Sequence, residues 1–101
     1  MDRTTARRHL ATAQHFVDEA HTHPDSSDVH LRTARRELRE AATFTTGTRD
    51  GSFAPTTLAG KNLSTTWLII CILIDHDSTV DDLTHAILTE QIRHIDALLA
   101  I

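Results

Sequence analysis

The sequence predicts an all-α fold, a four-helix antiparallel bundle, from three observations. Apolar residues recur at steps of three and four in separate stretches of the chain. Proline, glycine and capping residues punctuate the gaps between those stretches. The one short apolar run that fits a strand as well as a helix would find no partner strand elsewhere in the chain.

The first helix is expected over 3–22, where Ala6, Leu10, Ala13, Phe16, Val17 and Ala20 mark one face. Pro24 and the cluster Asp25-Ser26-Ser27-Asp28 then break the pattern, with Ser26 or Ser27 placed to cap a second helix over 27–44. That helix repeats the period in Leu31, Ala34, Leu38 and Ala41. Residues 45–57, TTGTRDGSFAPTT, hold two glycines and a proline and read as a loop.

The third helix, 57–75, is the least regular. Gly60, Asn62 and Ser64-Thr65-Thr66 are poor helix formers, and Trp67 to Ile74 is an unbroken apolar run. Ser78 and Asp81 stand in the spacing of a capping box, so a fourth helix is expected over 78–100. Its face is Leu83, Ile87, Leu88, Ile92, Ile95, Leu98 and Leu99.

A chain of 101 residues suits a single helical domain, 1–101, with one modest core. Its 40% apolar and 24% charged composition is that of an ordinary globular protein. A formal charge of −4 argues against a general nucleic-acid coat, which carries a basic excess. Cys71, the single cysteine, has no intramolecular partner, and a cytoplasmic, reducing location is expected. The first residues carry charges without an apolar stretch, so no secretory leader is expected. Trp67 to Ile74 spans eight residues where a bilayer needs about 20, so a membrane anchor is not expected either.

The apolar content is lopsided. Residues 58–101 hold eight Leu and eight Ile, whereas 1–57 hold three Leu and no Ile. A helix apolar on every side must be buried on every side, and four helices of this length cannot enclose one of their own. Self-association into a homodimer through Trp67, Ile70, Cys71 and Ile74 is therefore expected. A second face is the arginine stripe Arg32, Arg35, Arg36 and Arg39 at i, i+3, i+4 and i+7, a candidate surface for a protein or a polyanion such as nucleic acid.

Eight histidines exceed ordinary usage. His15 with Glu19, Asp81 with His85, and Glu90 with His94 each lie one turn apart, so a histidine and carboxylate metal bundle is the alternative reading. The His15-x-x-x-Glu19 spacing resembles that of ligands in hemerythrin-like bundles. Glu-x-x-His on two helices and His-x-x-x-His, which would complete such a set, are missing from the sequence. No phosphate loop or nucleophile elbow is present, and neither a cofactor nor an enzymatic activity is expected.

Overall fold

The computed structural model describes residues 3–46 and 58–100, with the side chains of 44–46 left aside. Four helices follow in order: α1 (Arg3–Thr22), α2 (Ser27–Thr46), α3 (Leu58–Asp75) and α4 (Asp82–Leu99). A single 3₁₀ turn, Pro24–Ser26, joins α1 to α2. Among the described residues there is no strand, and the predicted all-α class and four-helix arrangement hold. Each helix packs on its two neighbours in a closed square, α1 on α2 and α4, and α3 on α2 and α4. From residue 47 onward the predicted loop lies outside the described residues.

The α1–α2 seam has a simple sequence cause. Ala6, Leu10, Ala13, Val17 and Ala20 are spaced 4-3-4-3, as are Ser27, Leu31, Ala34, Leu38 and Ala41, and all ten are buried. That is the spacing of a helix-to-helix seam, and alternating small residues let the two backbones approach closely. The capping expectation at α2 fails. Ser26 Oγ donates to His23 O at 3.4 Å, and the buried Ser27 Oγ has no hydrogen-bond partner. The 3₁₀ turn runs straight into α2, with the Ser27 N–H donating to Pro24 O.

α3 is helical through its polar first half, where the side chains bond back to the helix. Asn62 Nδ2 donates to Leu58 O at 3.0 Å, Thr65 Oγ1 to Lys61 O at 3.1 Å and Thr66 Oγ1 to Asn62 O at 2.8 Å. The hydroxyl of fully buried Thr66 is thereby satisfied without a tertiary partner. By length and composition α3 is apolar enough to cross a bilayer, a property the eight-residue count did not foresee. A core helix of a soluble protein meets the same criterion, and a third of α3 is buried inside the bundle.

The turn into α4 corrects the predicted boundary. Asp77 sits in the left-handed region at φ 51°, its N–H donates to Ile74 O, and the Ser78 N–H donates to Leu73 O at 2.9 Å. Those two bonds form a Schellman cap, so Ser78 closes α3 instead of opening α4. The N-cap is Asp81, whose Oδ1 accepts from Thr84 N at 2.7 Å, and α4 begins at Asp82 rather than 78. That backbone bond, with help from the side-chain hydroxyl of Thr84, holds the Asp81 carboxyl below the ordinary aspartate range.

Candidate functional site

Helix phase decides what α3 shows to solvent. Ala59, Leu63, Thr66, Ile70 and Ile74 point into the core. Trp67 and Cys71 are half-buried, and Ile69 and Leu73 pack partly buried against the core. What remains outward is Leu58, Lys61, Thr65, Leu68, Ile72 and Asp75, spaced 3-4-3-4-3. Leu58, Leu68 and Ile72 are 57%, 51% and 57% exposed, and Leu83 and Ile87 of α4 add 71% and 44%. Of the four residues expected to pair two chains, Ile70 and Ile74 are thus committed to the chain's own core, and Trp67 and Cys71 lie at its edge. The unforeseen outward residues carry a signal that was present in the sequence: a second row at seam spacing, offset from the first.

The arginine stripe is divided by the same packing. Arg35 Nη1 donates to Cys71 Sγ at 3.7 Å, and the Arg39 guanidinium lies 5.3 Å from the Trp67 ring centroid, a cation–π approach. Both hold α2 against α3. Arg32 pairs with Asp28 one turn back at 3.0 Å, and Arg36 is exposed. Arg35 and Arg39 thus reach α3, while Arg32, Arg36 and Arg39 remain exposed.

The residues of the metal reading do not meet. His15 is exposed with its ring edge-on to Phe16, Glu19 lies 3.4 Å from His23, Glu90 pairs with Arg93, and His94 is exposed. His85 Nε2 instead reaches Asp18 Oδ1 on α1 at 2.7 Å. Among the described residues no three His, Cys, Asp or Glu side chains group as a metal ion requires.

The sequence reading missed a different histidine arrangement. Asp18-x-x-His21 on α1 and Asp82-x-x-His85 on α4 meet head to tail, with His21 Nε2 2.7 Å from Asp82 Oδ1, and the two imidazoles stack at 4.2 Å and 10°. A carboxylate accepts only, so in each bond an Nε2–H donates across the interface. The signal is the same Asp-x-x-His spacing on two helices, Asp18 with His21 and Asp82 with His85. Gln14 adds bonds to Asp18 at 2.8 Å and to Thr89 at 3.0 Å. Beside this clasp, between α1 and α4, lies an open groove of about 410 Å³. Leu10, Ala11 and Ile92 give it apolar walls, and Asp96 lies at its other end. Arg7 donates to both oxygens of Asp96 at 2.9 and 3.2 Å, and that bond raises its guanidinium above the ordinary value. Around the groove the guanidinium groups of Arg7 and Arg93 pair with Asp96 and Glu90, and His85 hydrogen-bonds Asp18.

No known protein family matches the chain, and neither does any curated protein or solved structure.

Proposed function

We propose that this chain is a non-enzymatic association module that pairs with a second copy of itself through the outward face of α3 and the adjoining flank of α4. One observation carries the reading: among the described residues, five of the six large aliphatic side chains left exposed belong to α3 and α4, and the sixth is Val29 of α2. Monomers tolerate scattered exposed aliphatics, whereas a concentration on one helix pair marks an interaction surface. Covering a half-exposed Leu or Ile gains roughly 1 kcal/mol. Ten such side chains in a dimer would gain roughly 10 kcal/mol, within the 4–15 kcal/mol that association costs in lost freedom. Gain and cost are comparable, so a dimer formed through this face is reversible rather than obligate.

The arginine stripe supports a polyanionic partner less well, because Arg35 and Arg39 already serve the α2–α3 contact. Native mass spectrometry of untagged protein at neutral pH tests the proposal. The expected species has twice the 11.3 kDa chain mass and disappears on dilution. In the variant Leu68→Glu with Ile72→Glu the species should be monomeric with its helix content unchanged. A wild-type chain that stays monomeric at high micromolar concentration refutes the proposal.

A further inference from the structure

The outward face of α3 carries its own address. Lys61 and Asp75 are the only charged residues of α3, both are exposed, and each stands seven residues from Leu68. Seven residues are nearly two turns, so Lys61, Leu68 and Asp75 form one stripe, with a charge of each sign about 10 Å from the central leucine. Such a stripe is self-complementary in one direction. Laid antiparallel on its own copy, it sets Leu68 against Leu68 and both lysines against both aspartates. Laid parallel, it sets lysine against lysine and aspartate against aspartate. We infer that two copies pair antiparallel, α3 on α3, about a two-fold axis passing at Leu68, with Lys61 of each chain facing Asp75 of the other.

This register rests on the self-association reading and adds direction to it. The flanking ion pairs select the orientation, and the leucine and isoleucine side chains supply the attraction.

Cysteine cross-linking in a Cys71→Ala background reads the register directly. Leu68→Cys should oxidise to a covalent dimer, because the two side chains meet at the axis. Leu58→Cys should not, because antiparallel pairing holds the two positions about 30 Å apart along the helix, ten residues either side of the axis. A parallel pair would link both. Charge reversal is the second arm. Lys61→Asp or Asp75→Lys alone should weaken the dimer about tenfold, through two mismatched pairs, and the double variant should return to within about threefold of wild type. A wild-type dimer that links through Leu58→Cys, or that gains nothing from the double reversal, overturns the register and leaves self-association standing. A wild-type monomer, whether free or bound to phosphatidylcholine vesicles, overturns both.

Discussion

The α1–α2 hairpin and the α3–α4 hairpin use the same seam spacing with different residues, and they end with different surfaces. The first fills its seam with Ala6, Ala13, Ala20, Ala34 and Ala41 between Leu10, Val17, Leu31 and Leu38. Its helices approach closely, and outside the seam its exposed side chains are charged, polar or small, with Val29 the one large aliphatic among the described residues. The second uses Leu63, Ile70, Ile74, Leu88, Ile92, Ile95 and Leu99, and still has Leu58, Leu68, Ile72, Leu83 and Ile87 left over. A seam of small residues is completed by one partner helix. A pair of helices rich in aliphatics on more than one face exceeds what two neighbours can cover, and the excess is available to another molecule.

The largest test of this contrast is removal of a seam leucine. Leu38→Ala should cost about 3 kcal/mol, read as a fall in the urea midpoint at unchanged slope. Enlarging a seam alanine comes next. Ala13→Leu should cost about 2 kcal/mol by overpacking where the backbones are close, whereas Ala59→Leu, at the edge of the core, should cost less. Equal losses at the two positions would erase the distinction between the hairpins.

Asp81→Ala should give a smaller loss, confined to the start of α4. The folded carboxyl titrates below its unfolded value, so its contribution is full at neutral pH. It fades as acid carries the pH below the ordinary aspartate range and through the lowered folded value. Melting temperatures of wild type and Asp81→Ala should therefore converge in acid. Asp77→Gly should gain about 0.5 kcal/mol by relieving the left-handed backbone at φ 51°, net of the added chain entropy. Least of all, Ile72→Ser should leave the stability of dilute monomer within about 0.5 kcal/mol, because its side chain is already 57% exposed. The same substitution should weaken self-association, measured by sedimentation over a concentration series.

Periodicity made α1 and α2 legible because each has a single apolar face, and a single face fixes both the helix and its orientation. α3 was legible as a helix but not as an orientation. Nearly every position from Trp67 to Ile74 is apolar, so the sequence pattern could not say that Ile70 points inward and Ile72 outward. That choice is made by Ala59, Leu63 and Thr66, which extend the inward row beyond the run. The turn before α4 was misread because Ser78 and Asp81 both have capping chemistry, and only the hydrogen bonds distinguish the residue that ends one helix from the residue that starts the next. The histidine clasp depends on which helices become neighbours. Asp18 and His85 are 67 residues apart, and nothing local links them.

Lys61 is the only lysine in the sequence. It is the one side-chain amine, so side-chain amine modification falls on the outward face of α3. Acetylation there removes a positive charge while adding little bulk. Slower labelling of Lys61 as protein concentration rises would report occupancy of that face without any substitution in the chain.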